Sequence, residues 1–280
     1  MFGKIKKFLR SVATMQRQVT EINKRLEVLS QVAMNPILGE IRSFVQDKQL
    51  GYLETVEYVR KNKISFARFG DGELKAMLRP DHHLKFQKNT AGLGDGLSAT
   101  VAFATKNPKK LFIGFPHIFH EPHWLAVWAD IWGETKASFG GLKVVGDAHV
   151  SRPIYFEQFG KTGVEAWRAI WKDQTVTVIT GKGSRFEIID ELFNETKSVD
   201  FIYSKPRDAF EDIERVIDEV KKSDSDIFLI SLGPAGTVLA YRLAELGKWA
   251  LDIGHLSDSY NNVFHAAPRP EANPIVRSHR

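Results

Sequence analysis

Cysteine is absent from all 280 residues. Without a sulfur ligand or nucleophile, disulfide scaffolds, thiolate zinc sites, iron–sulfur clusters and thiol catalysis are all excluded. Long apolar runs are missing too: none approaches the roughly 18 uncharged residues that span a bilayer. The first residues also lack the continuous apolar stretch of a secretory signal. These absences lead to the expectation of a cytoplasmic protein, neither exported by that route nor integral to a membrane. Internal repeats and a Ser-His-Asp elbow are lacking as well.

What is present suits a soluble globular chain: 43% hydrophobic and 26% charged residues, enough for one large domain or two small ones. The net charge of +5 is unevenly spread. Near the amino end Lys4, Lys6, Lys7, Arg10, Arg17, Lys24 and Arg25 face a single acid, Glu21, and the remainder is nearly balanced. An anionic surface or a phosphorylated substrate fits this pattern, and no nucleic-acid partner is expected.

From Phe8 the apolar positions Val12, Met15, Val19, Ile22, Leu26, Leu29 and Ala33 follow at spacings that alternate between four and three. That heptad seam predicts a coiled coil and homo-oligomer through residues 8–33, with Asn35-Pro36 as its stop. A helix docked on its own domain is the alternative. Phe2, Ile5, Phe8 and Leu9, interleaved with the bases, would also form a basic amphipathic tip for peripheral contact at the inner face of a membrane. The expected plan is an amino-terminal helix over 1–35, a catalytic domain over 36–265 and a loose tail over 266–280 that closes on Arg277, His279 and Arg280.

After a second helical stretch near 37–61, β-rich runs alternate with helical ones. The strands are expected at Ile64–Phe69, Leu111–Phe115, Leu142–Val145, Val176–Ile179, Val199–Tyr203, Ile227–Leu232 and Ala250–Ile253. Helices are clearest at Glu187–Phe193, Ala209–Lys222 and Thr237–Leu246. Such alternation predicts an α/β fold with a parallel sheet and helices on both faces. Ligands of such sheets sit beyond the carboxyl ends of the strands.

Four such ends carry chemistry. After the first strand, Arg68-Phe69-Gly70-Asp71-Gly72-Glu73 sets two carboxylates one residue apart, where both could approach one hard divalent cation; a plain Asp-Gly turn is the alternative. Gly181-Lys182-Gly183-Ser184-Arg185 follows the fourth strand and is expected to open a helix whose amides, with Lys182 and Arg185, would favour phosphate; a solvated turn is the alternative. Ser231-Leu232-Gly233-Pro234-Ala235-Gly236-Thr237, then a helix and a strand ending at Asp252, has the outline of a nucleotide-binding βαβ unit, although its glycines miss the dinucleotide fingerprint. Asp252-Ile253-Gly254-His255 places an acid and an imidazole together as a candidate base or ligand pair. His117, His120 and His123 are interrupted by prolines and make a poor zinc site. Trp124, Trp128 and Trp132, and the pair Trp167 and Trp171, fit core stripes or a stacking platform for an acceptor sugar.

Taken in order, Ser65 to Glu73, Ser151-Arg152-Pro153, Gly181 to Arg185, Pro206 to Phe210, Ser231-Leu232-Gly233-Pro234 and Asp252-Ile253-Gly254-His255 resemble the GT-D-type glycosyltransferases over about residues 50–262. The resemblance implies a Rossmann-like domain that moves a sugar, typically glucose, from a UDP-sugar to a glycan or lipid-linked glycan acceptor with a divalent metal, Mn2+ or Mg2+. It places the metal on Asp71 and Glu73. It lines the nucleotide-sugar pocket with Arg68, Gly70, Ser151, Arg152, Ser184, Arg185, Ser231, Gly233 and His255, to which the residue pattern adds Lys182 and Thr237. Asp252 and His255 are the candidate bases. A nicotinamide-dependent oxidoreductase and a noncatalytic nucleotide- or glycan-binding protein are the competing readings.

Overall fold

The β-branched and aromatic runs pair as seven parallel strands: β1 (Ser65–Arg68), β2 (Leu111–Phe115), β3 (Gly146–Asp147), β4 (Thr175–Gly181), β5 (Ser198–Ser204), β6 (Ile227–Ser231) and β7 (Ala250–Asp252). Their order is β3-β2-β1-β7-β6-β4-β5. Phe66 pairs with Phe112 of β2 on one side and with Leu251 of β7 on the other, so the last strand lies at the centre beside the first. The computed structural model describes residues 2–274 and 276.

Parallel strands need crossover connections, and the intervening helices supply them. Because strand side chains alternate between faces, Phe66, Val176, Val178, Ile227, Leu229 and Leu251 all enter one core. There they meet α2 (Tyr52–Asn62), α6 (Pro153–Trp171), α7 (Asp190–Phe193) and α10 (Leu256–Phe264) through Val56, Trp167, Trp171, Leu192 and Tyr260. A second set, α3 (Asp71–Leu78), α4 (Ala91–Lys106), α8 (Ile213–Lys221) and α9 (Pro234–Glu245), packs together around α9, which lies against β1, β6 and β7. Trp167 and Trp171 are stacked at 5.7 Å and buried, so this pair is core and not a sugar platform.

The chain divides into two units, Met1–Val45 with Ile118–Trp132 and Gln46–His117 with Gly133–Arg280, and the sheet lies wholly in the second. In the first, α1 (Phe2–Val45) runs through Pro36, which corrects the expected stop. An internal proline costs about 3 kcal/mol. The turns beyond it bury Leu38 and Ile41, and each such side chain returns roughly 1.5–3 kcal/mol, so packing overrides propensity. Glu40 accepts a hydrogen bond from Trp132 Nε1 at 3.2 Å, and Phe44 meets the same ring edge-on. Trp128 and Trp132 of α5 (Pro122–Phe139) are likewise buried. The seam ahead of Pro36 is different: Phe8 is 68% and Leu29 63% exposed, and Met15, Val19, Ile22 and Leu26 are exposed as well. The described residues therefore leave this seam uncovered. The side chain of Phe2, part of the expected basic tip, lies outside the described residues.

The third strand falls just after Leu142–Val145. Val145 is already hydrogen-bonded on both sides, its N–H to Lys48 O and its carbonyl to Leu50 N–H, both at 2.9 Å. Gly146 then enters the sheet where a Cβ would lie 2.6 Å from Thr55. The segment after Gly181 does not open a helix: Gly183 turns with φ 67° and the next helix begins only at Asp190. The stretch from Ala266 is not loose where it is described, since Pro270 is buried and Arg269 pairs with Glu157 at 3.5 Å. Arg277, His279 and Arg280 lie outside the described residues.

Candidate active site

Beyond the carboxyl ends of β1, β3, β4 and β7 three arginines converge. Arg68 is fixed by the backbone around it: Nε donates to Asp252 O at 2.8 Å, Nη2 to Asp252 Oδ1 at 3.0 Å and Nη1 to Ala148 O at 3.0 Å. The guanidinium crosses directly over Gly254, whose φ of 45° and bare Cα both exclude a larger residue. Asp252 is buried, its Oδ1 also accepts from Gly254 N–H at 3.0 Å, and its Oδ2 lies 3.2 Å from the Thr237 hydroxyl. Asp252 thus anchors Arg68, Gly254 and Thr237. Thr237, expected on the nucleotide, is also buried, with its hydroxyl turned to Arg68 O at 2.9 Å and to Asp252.

Arg152 follows the 3-10 turn Ala148–Ser151 that continues β3. Burial pushes its pKa down to about 10, Arg68 and Arg185 push the same way, and Asp71 and Glu73 oppose them. It remains cationic at neutral pH and forms an ion pair with Glu271. Ser151 beside it is buried, with an Oγ that has no hydrogen-bond partner among the described residues.

Arg185 is held from several sides. Nε pairs with Asp258 Oδ2 at 2.8 Å, Nη2 lies 2.7 Å from His255 Nδ1, and Nη1 donates to Pro270 O at 2.5 Å and Asn273 O at 3.3 Å. A guanidinium only donates, so His255 Nδ1 accepts and the neutral ring carries its proton on Nε2. Burial first, then Arg152 and Arg185, push the His255 pKa down to about 4 despite Asp258. At neutral pH the ring is therefore uncharged, with Nδ1 committed to Arg185.

Asp71 and Glu73 lie in the first turn of α3, not in a plain Asp-Gly turn. Glu73 Oε2 accepts from Gly70 N–H at 2.9 Å and so caps the helix. Burial, with Asp252 adding, pushes the Glu73 pKa up to about 7. Among the described residues no group of three or more His, Asp or Glu side chains could hold a metal ion. Among the described residues His117, His120 and His123 form no metal-holding group: His117 Nδ1 lies 3.1 Å from Asp147 Oδ2, and His120 Nε2 lies 3.1 Å from Arg42 Nη2.

The remaining expected residues lie around this centre. Ser231 Oγ donates to Gly254 O at 2.8 Å, and Ser184 Oγ lies 2.9 Å from Thr180 Oγ1. Lys182 is exposed. Gly233, with φ 58°, caps α9 beneath Phe86, where a Cβ would lie 2.6 Å from the ring. Two participants escape sequence reasoning. Asp258 stands three residues after His255 on α10, a spacing that would have shown it, whereas Glu271 sits in a proline-rich segment without any local signal.

The family profile described as glycosyltransferase GT-D fold matches residues 66–271. The chain belongs to the GT-D-fold glycosyltransferases. It is 26% identical over 222 residues to Glycosyltransferase GlyD of Streptococcus pneumoniae, covering 75% of this chain and 27% of that protein. It is 26% identical over 239 residues to the protein named Probable glycosyl transferase Gly of Streptococcus gordonii, covering 77% and 33%. It thus spans only about a quarter to a third of the length of these relatives. Among solved structures, the highly conserved domain of unknown function 1792, described as having a distinct glycosyltransferase fold, superposes with a TM-score of 0.69 at 22% identity over 86% of each chain. A glycosyltransferase of the same domain family from Streptococcus sanguinis gives 0.68 at 22% identity, over 79% of this chain and 85% of the other.

Proposed function

We propose that this GT-D protein transfers a sugar, glucose in the first instance, from a UDP-sugar to a glycan or lipid-linked acceptor of cell-surface polysaccharide or glycoprotein synthesis. The observation that carries the reading is geometric: Arg152 and Arg185 both reach the segment Pro270–Asn273, Arg152 through Glu271 and Arg185 through the carbonyls of Pro270 and Asn273, at the end of the sheet where Arg68 holds Ala148 O. A departing UDP accumulates negative charge on its diphosphate, and catalysis requires groups already aimed at that charge. Arg152 and Arg185 supply charge-assisted donors. Asp71 and Glu73 would hold a divalent cation, Mn2+ or Mg2+, which when bound would offset the same charge. Arg68, Asp252 and Thr237 are positioning residues that fix the floor under Arg152, and His255 orients Arg185. Ser184, Ser231, Gly233 and Lys182 border the nucleotide.

The test is UDP release from UDP-glucose and other UDP-sugars, with and without Mn2+, together with calorimetric binding of UDP. Arg152→Ala should weaken UDP binding by about 10–150-fold, the equivalent of one charge-assisted hydrogen bond of roughly 1.5–3 kcal/mol. Thermal stabilisation by NAD(H) and not by UDP would overturn the reading in favour of a nicotinamide enzyme. UDP binding without turnover of any donor would leave a binding protein.

A further inference from the structure

The segment that follows α10 crosses the candidate active site. Asn262 Nδ2 donates to Ala267 O at 2.6 Å, Pro270 is buried at the head of a 3-10 turn, and Ser184 forms an antiparallel bridge with Val276. Between these anchors Glu271 pairs with Arg152, while the carbonyls of Pro270 and Asn273 accept from Arg185 Nη1. Asn273 Nδ2 also donates to Asp258 Oδ1 at 3.3 Å, the carboxylate whose other oxygen holds Arg185 Nε. Beneath this crossing is a cavity of about 310 Å³ lined by Arg185, Glu187, Asp258, Asn261, His265 and Asn273. Pro268, Pro270 and Pro274 restrict the backbone and reduce the entropy lost in holding it extended.

The chemistry presented to the two arginines is one carboxylate and two carbonyl oxygens. A diphosphate offers the same kind of acceptor, with more charge and with oxygens spaced for bidentate contact. We propose that residues 267–274 are an autoinhibitory strap, an internal occupant of the anion subsite formed by Arg152 and Arg185, which a diphosphate ligand must displace. The proposal rests on the reading of these arginines as the diphosphate site. The strap is suited to release. Glu271 is 62% exposed, against 22% for Arg152, and a pair open to water on one side contributes little, so a more highly charged ligand wins the competition. Release of Glu271 would also free the Arg185 donors, because Pro270 and Asn273 flank it in the same turn.

The test uses the full chain and its Glu271→Gln variant, with inorganic pyrophosphate and UDP as separate calorimetric probes. Hydrogen exchange of residues 267–274 is followed with and without pyrophosphate. The substitution keeps the size of the side chain and removes the charge, so both probes should bind about 2- to 5-fold more tightly to the variant, the range expected for one half-exposed ion pair. Pyrophosphate should speed exchange of the strap in the unmodified protein. Unchanged or weaker pyrophosphate binding in a variant with the original melting temperature would overturn the strap. Slower exchange on binding would overturn it too, because the segment would then close over the ligand and not compete with it. If pyrophosphate behaves as expected while UDP binds neither form, the strap stands and the UDP-sugar reading falls.

Discussion

Arg68 shows how much of the site depends on a single side chain. Its partner Asp252 lies 184 residues away and is buried, so removing the guanidinium strands a charge among groups that cannot hydrate it. Arg68→Ala should therefore destabilise the second unit by about 3–5 kcal/mol, measured by urea denaturation. The Glu73 carboxyl makes an opposite, pH-dependent contribution. Its pKa rises from an ordinary 4.5 to about 7 on folding. Between those values the folded state binds more protons than the unfolded one, so stability falls as pH rises from about 4.5 through about 7. Glu73→Gln keeps an acceptor for Gly70 N–H and should flatten that slope in denaturation curves recorded from pH 5 to 8; an unchanged slope would remove the buried acid from the account. The positions of Asp71, Ser231, Gly233 and His255 were legible because strand ends are legible. Their roles were less so: the commitment of Asp252 and Thr237 to Arg68, and of His255 to Arg185, depends on neighbours brought in from distant parts of the chain.

At the scale of elements, periodicity located six of the seven strands and placed the third just ahead of its true position at Gly146–Asp147, and the departures have local causes. Val145 was diverted to Lys48 and Leu50, and the positive φ of Gly183 ended the strand segment without a helix. Pro36 misled because local propensity carries no information about the burial of Leu38 and Ile41. If α1 is continuous through Pro36, Pro36→Ala restores a backbone donor and should stabilise the first unit by about 1–3 kcal/mol, read from its thermal unfolding. The seam ahead of it makes a separate prediction. Leu26→Lys puts a charge at an exposed core position of the expected coiled coil; it should lower the mass seen by light scattering and leave the unfolding free energy of the second unit unchanged within about 0.5 kcal/mol. An unchanged mass would assign the seam to something other than a second copy.

For the whole molecule, the charge gradient and the exposed seam suggest an enzyme brought to a surface by its amino end. Deletion of residues 2–31 spares the buried Met34, Leu38, Ile41 and Val45. The product should be a monomer with unchanged UDP affinity and lost binding to vesicles containing an anionic lipid. Each basic residue near such a surface contributes about 1 kcal/mol, so binding by the full chain should weaken with salt. Salt-insensitive binding would leave the bases without a role.

The central place of β7 carries a consequence for synthesis. Strands β1 and β6 are separated in the sheet by the strand that is made last. Until Ala250–Asp252 has left the ribosome, Arg68 has no carboxylate and the two halves of the sheet cannot join. The domain therefore gains its ligand-binding end in one late step, after long-range pairings of the slow-forming kind. A nascent chain stalled before residue 250 should present two open sheet edges, bind chaperones and retain no UDP, and the full chain released from the ribosome should behave as the native protein.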